Sequence, residues 1–164
     1  MPTSATAAVD FFISTVKPTV DEFLNDTYDI RRGRLAAIVL NHMADYWCWH
    51  LYNDGSRAHL KKVRCDLIRE RPEFSVIHDM ADASKHHQLN RRAQLTSSAQ
   101  ITRPPGLFQA PFGDFLAPGE GGSFGEATNV IFKLDDGTVQ LLEPAIRSVL
   151  AMWEALLRSG GFPP

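Results

Sequence analysis

The sequence predicts an α+β protein, mostly α, and three observations carry that expectation. Apolar residues recur at helical spacing through the first half of the chain. An Asp-Gly turn separates two short alternating runs, and a Pro-led amphipathic segment follows them near the C-terminus. The arrangement expected is a four-helix N-terminal part, a small antiparallel β-sheet with a hairpin, and a C-terminal helix. A length of 164 residues suits a single domain spanning 1–164. Its helical part should occupy 5–90, its loop and β-hairpin 95–142, and its C-terminal helix 144–159.

The N-terminal segment places Val9, Phe12, Ile13, Val16, Val20, Phe23 and Leu24 on one side. Pro18 interrupts it, which predicts a kinked helix or two short ones meeting there. After a polar break at Asn25–Asp29, a long helix should run from Ile30 to Tyr52. Leu35, Ile38, Val39, Tyr46 and Trp49 are expected on its apolar side, and Asn53-Asp54-Gly55 should stop it. Ser56 can cap a third helix carrying Leu60, Val63 and Leu67, which must end before Pro72. The fourth helix is expected over Phe74–Gln88. Beyond it, Leu95–Thr102 suits a short strand ended by Pro104-Pro105. Gly106–Gly125 reads as a long Gly- and Pro-rich loop carrying Phe108, Phe112, Phe115 and Phe124. Val130–Leu134 and Thr138–Leu142 should form the hairpin. Pro144 then opens a helix with Ile146, Val149, Leu150, Trp153, Leu156 and Leu157 in one stripe, closed by Gly160-Gly161.

Composition narrows the function classes. An apolar fraction of 44% and a charged fraction of 22% are ordinary for a globular protein. A formal charge of −2 argues against a dedicated nucleic-acid binder, and the short basic clusters such as Arg91-Arg92 read as solvated faces or helix ends. Cys48 and Cys65 form no C-x-x-C pair, so neither a disulfide framework nor a thiolate zinc site is expected. No stretch has the apolar length to span a bilayer, and no signal peptide is recognisable, which leaves the cytoplasm as the expected compartment.

The chemistry-bearing stretch is FSVIHDMADASKHHQLNRR, residues 74–92. On a helix, Asp79, Asp82 and His86 fall at i, i+3 and i+7 and share one face, with Lys85 beside them. His42 and Asp45, at i and i+3 on the long helix, add an imidazole and a carboxylate. A site built from His42, Asp45, Asp79, Asp82 and His86 on two facing helices has the donor set for Zn, Fe or Mn. Such a site can activate a bound water for hydrolysis, with Asp79, Asp82, Lys85 and His86 as the catalytic candidates. The same residues can instead form a buried polar network tying two helices together. Alanine at Asp82 or His86 would then cost about 1–3 kcal/mol. His78-Asp79, with His42 upstream, also resembles the metal-binding pattern of HD-type phosphohydrolases. The later Asp of that pattern would have to come from Asp114, Asp135 or Asp136, which lie in loop and hairpin.

Several segments taken together resemble a family of small, uncharacterised bacterial proteins: VKPTVDEFL at 16–24, RLAAIVLNHMADYWCWH at 34–50, FSVIHDMADASKHHQLNR at 74–91, LDDGT at 134–138, and the terminal helix with Trp153. The most specific element is D-x-A-[DN]-x-x-K-H, here Asp79, Ala81, Asp82, Lys85 and His86. The resemblance implies a single cytosolic domain and carries no known activity. Two functions are therefore expected in turn. The first is a non-catalytic interaction or structural protein, whose partner is another protein or a second copy of the chain, with neither membrane nor nucleic acid involved. The second is a metal-dependent hydrolase using the His/Asp site.

Overall fold

The computed structural model describes residues 4–91, 93–103 and 129–160. The expected loop at 106–125, with its phenylalanines, Asp114 and the GEGGSFG run, lies outside these residues. The order of elements is α1 (Ser4–Phe11), a π-helical turn (Phe12–Val16), α2 (Lys17–Leu24), α3 (Ile30–Tyr52), α4 (Arg57–Glu70), α5 (Glu73–His86), a 3₁₀ turn (Ser98–Gln100), β1 (Ile101–Thr102), β2 (Ile131–Lys133), β3 (Val139–Leu141) and α6 (Leu142–Ser159). The chain is α+β and mostly α, as its pattern predicts.

Pro18 leaves the N-terminal segment helical but changes its winding. Proline has no N–H to give to the Ser14 carbonyl, and its ring crowds that carbonyl. The preceding turn widens into a π-turn, in which the Lys17 N–H donates to the Phe12 carbonyl five residues back. Pro18 then sits in the first turn of α2, where its missing donor costs nothing.

α3 begins and ends where expected. Asp29 caps it by accepting the Arg32 N–H at 3.1 Å, and Asn53 stops it with φ +48°. Its inner face differs from the expected one. Gly33, Ala36, Ala37, Leu40, Met43, Ala44, Trp47 and Cys48 are buried, whereas Leu35 and Trp49 are exposed and Ile38, Val39 and Tyr46 are half-buried. The reason is crowding. α1, α2, α4, α5 and α6 all pack on α3, and small side chains let their backbones come close. A Cβ on Gly33 would lie 2.7 Å from Leu142 Cδ2 and 3.2 Å from the Phe23 ring, so any larger residue would force those side chains to shift where α2, α3 and α6 meet.

α4 is capped by Ser56 and ends ahead of Pro72. α5 ends at His86, two residues earlier than expected, because His87 turns to φ +63°. The expected strand from Leu95 shortens to Ile101–Thr102. Ser97 and Gln100 form a capping box, with Ser97 Oγ taking the Ala99 N–H and Gln100 Oε1 the Ser97 N–H at 2.6 Å. That box winds Ser98–Gln100 into a 3₁₀ turn before the strand can begin.

The sheet is antiparallel in the order β1-β2-β3, with Ile101 opposite Phe132 and Phe132 opposite Gln140. The β2–β3 hairpin turns through Asp135, Asp136 and Gly137. The Gly137 N–H reaches the Leu134 carbonyl at 2.9 Å, and Gly137 itself adopts φ +91°. This is a type I turn followed by a left-handed residue, the three-residue hairpin loop that favours glycine at its end. Val130 N–H donates to the Thr27 carbonyl at 2.8 Å and Thr27 Oγ1 to Asn129 at 2.6 Å, which ties the sheet to the α2–α3 connection.

α6 lays Leu142, Ile146, Val149, Trp153 and Leu156 into the core, and Trp153 Nε1–H donates to the Leu40 carbonyl of α3 at 3.0 Å. Its helix starts at Leu142, so Pro144 lies inside the first turn, where backbone donors have no intrahelical acceptor. One cluster of buried apolar residues runs through all six helices and the strands β1 and β2. No helix of the described residues is long and apolar enough to cross a membrane.

Candidate functional site

Asp79 is 3% exposed, the one acidic side chain buried among the described residues. It lies on the inward side of α5, whose other buried residues are Phe74, Val76, Ile77, Met80, Ala81 and Ala83. A carboxylate in such surroundings must have its lone pairs occupied. Asp79 Oδ1 takes a hydrogen bond from Arg91 Nη2 at 2.9 Å, and Oδ2 takes one from the Gln94 backbone N–H at 2.7 Å. Asp82, one turn later, meets the same Arg91 nitrogen at 3.1 Å.

His78 completes the cluster. Its Nδ1 lies 2.9 Å from Oδ1 of Asn41, a residue of α3 that is itself 2% exposed. An amide oxygen only accepts, so the ring carries its proton on Nδ1 and donates to Asn41. Nε2 is then an acceptor and sits 3.4 Å from Arg91 Nη2. The Asp82 carboxylate is 3.7 Å from Nε2, beyond hydrogen-bond range. Arg91 Nη2 has two hydrogens for three acceptors, so the His78 contact is the weakest of the three.

Electrostatics agree with this protonation pattern. Burial holds the His78 imidazole below its ordinary value of 6.5. The Arg64 and Arg91 charges push the same way, against the opposing pull of Asp82 and Asp79. Arg91 is lowered by its own burial, but its bonds to Asp82 and Asp79 outweigh that and hold it above its ordinary value. A consequence is measurable. The unfolded chain protonates His78 at about the ordinary value, whereas the folded one resists until lower pH. Stability from this residue is therefore full above about pH 6.5 and falls as pH drops through the folded-state value. Chemical denaturation across that range should show a shallower acid loss in His78→Gln than in the parent, and equal slopes would count against a buried neutral imidazole.

The geometry explains what the cluster holds in place. After α5 the chain doubles back, with Gln88 bridged to Ser97 and the Leu89 N–H bonded to the Thr96 carbonyl at 2.7 Å. Arg91 and Gln94 lie within this loop, and both are fixed by Asp79. Leu95, fully buried, is the loop's apolar anchor. Asn41 and His78 link the same cluster to α3. Comparison of the chain with protein-family models, with curated proteins and with solved structures gives no match.

The five residues expected to share a metal fall in separate places. Asp79 and Asp82 are in the cluster. His42 lies on the α1 side of α3, its ring edge-on to Phe11 at 5.6 Å and its Nδ1 3.0 Å from Asp45. Asn41, not His42, is the α3 residue hydrogen-bonded to the α5 cluster, through His78. Lys85 and His86 are exposed on the last turn of α5, outside the network. The expected network role of His86 is thus corrected, because the residue falls on the helix end, and His78 and Arg91 fill the positions near the carboxylates. Among the described residues, no group of three or more His, Cys, Asp and Glu side chains is arranged to hold a metal ion. Sequence reasoning missed Arg91, Asn41 and the Gln94 amide. An asparagine on the small-residue face of α3 was a visible signal; a backbone amide in a loop gave none.

Proposed function

We propose that this protein is non-catalytic and works through protein contacts, with a second copy of itself among its partners. The observation that supports the reading is the internal pairing of Asp79. The side chain is 3% exposed, and each of its oxygens accepts a hydrogen bond from its own chain, one from Arg91 and one from the Gln94 N–H. General acid–base work needs a carboxylate within reach of a substrate, and metal catalysis needs donor atoms left for the ion. The carboxylates here instead order the 88–97 loop. The family resemblance belongs to the same proposal: the two aspartates of D-x-A-D-x-x-K-H serve the fold, while its Lys and His remain on the surface.

Two measurements test this. Lys85→Ala and His86→Ala should each melt within about 0.5 kcal/mol of the parent, as exposed positions do. Elemental analysis of protein purified without a metal-affinity tag should find well under one equivalent of zinc, iron or manganese. A stoichiometric metal in the parent that is lost from His86→Ala would overturn the proposal in favour of the metal-dependent hydrolase.

A further inference from the structure

α3 carries a second face of mixed apolar and ionisable residues, on the side opposite its buried residues. Leu35, Ile38, His42, Asp45, Trp49 and Tyr52 alternate at spacings of four and three, which places them in one stripe along the helix. Buried α3 residues occupy the opposite side. Trp49 is 52% exposed and Leu35 36%, and both lie on this face. Phe11 stacks on Tyr46 at 4.1 Å beside the stripe, and Tyr52, at its end and packed partly against the core, stacks on His59 at 4.3 Å.

The composition of the stripe says what fits it. Read in either direction it runs two apolar residues, an ionisable pair, and two apolar residues. We infer that this face docks a second copy of the chain, helix against helix, antiparallel and centred between His42 and Asp45. The inference rests on the contact reading above and names its surface. A two-fold interface must be complementary to itself. Reversal sets Leu35 against Tyr52 of the second copy, Ile38 against Trp49, and His42 against Asp45. Within one chain His42 Nδ1 is 3.0 Å from Asp45 Oδ2, with both side chains partly exposed, so Nε2 and the second carboxylate oxygen are left for the other copy. The polar pair at the centre fixes register, as a single polar layer does in paired helices, and the flanking apolar residues give the affinity. The stripe spans about 26 Å of helix.

Sedimentation equilibrium of the tag-free full chain over a concentration series tests this. The parent should dimerise, with Trp49 emission moving to shorter wavelength as the dimer forms. Trp49→Glu should weaken association by about a hundredfold while the monomer still unfolds cooperatively. Asp45→Lys removes the acceptor that faces His42 of the other copy and should also weaken it; adding His42→Asp sets a carboxylate against each new ammonium and should recover the dimer. A parent that stays monomeric, or a dimer indifferent to both Trp49→Glu and Asp45→Lys, overturns the inference. The metal and stability measurements on Lys85 and His86 are independent of that outcome, so the interaction reading and its surface can fail separately.

Discussion

Trp153→Ala is expected to destabilise the fold by about 4 kcal/mol, lowering the melting temperature by roughly 12 °C. The indole is fully buried and meets Trp47 and Phe74 edge-on, each with ring centres 6.1 Å apart. Its Nε1–H bond to Leu40 joins α6 directly to the backbone of α3. Alanine would remove the ring contacts, leave a cavity among three helices, and delete that bond at once. Trp153→Phe keeps much of the apolar volume and loses the hydrogen bond, so about 2 kcal/mol is expected. Denaturant unfolding of the two variants measures both figures. A loss below about 1 kcal/mol for alanine would mean that α6 is not the lid of the core.

Asp79→Ala should cost about 3 kcal/mol. It strands the Gln94 N–H and takes from Arg91 its closest carboxylate, and removing one member of a buried charged pair is strongly destabilising. The Arg91 side chain is 42% exposed and can turn to water, which keeps the figure at the low end for such pairs. Asp79→Asn retains an acceptor without the charge and should fall between alanine and the parent. The loss should also be local. Hydrogen exchange at Gln94 and Leu89 should accelerate by more than the global change explains, because Asp79 holds the loop that carries both amides. Uniform acceleration across α3 and α6 would instead place Asp79 in the global core alone.

Much of the fold was legible because its signals are local. Ser56 caps α4 where a side-chain oxygen was expected, Asn53 ends α3, and Gly137 turns the hairpin. Two misreadings have separate causes. Large residues on α3 suggested an inner face of Leu35, Ile38, Val39, Tyr46 and Trp49, yet small residues line it, because helix approach distance is a property of the neighbours and not of α3. The strand expected from Leu95 was shortened by a Ser97–Gln100 capping box that the sequence does spell out. The site divides in the same way. Asp79 and Asp82 stood out from spacing alone, and helical geometry does put them beside one another. Their cation could not be chosen from sequence, since Arg91 comes back from a loop whose path is set by the Gln88–Ser97 bridge. His78 gained its role from Asn41, thirty-seven positions earlier.

A double-mutant cycle on Asp79 and Arg91 tests the central claim most directly: that the carboxylates of α5 hold the chain rather than a substrate. Asp79→Ala, Arg91→Ala and the double variant would be unfolded in denaturant beside the parent. A structural pair predicts a coupling energy of about 1.5 kcal/mol, with the double variant less damaged than the sum of the singles. Coupling below about 0.3 kcal/mol, with both single variants as stable as the parent, would contradict it and return Asp79 to the candidates for chemistry.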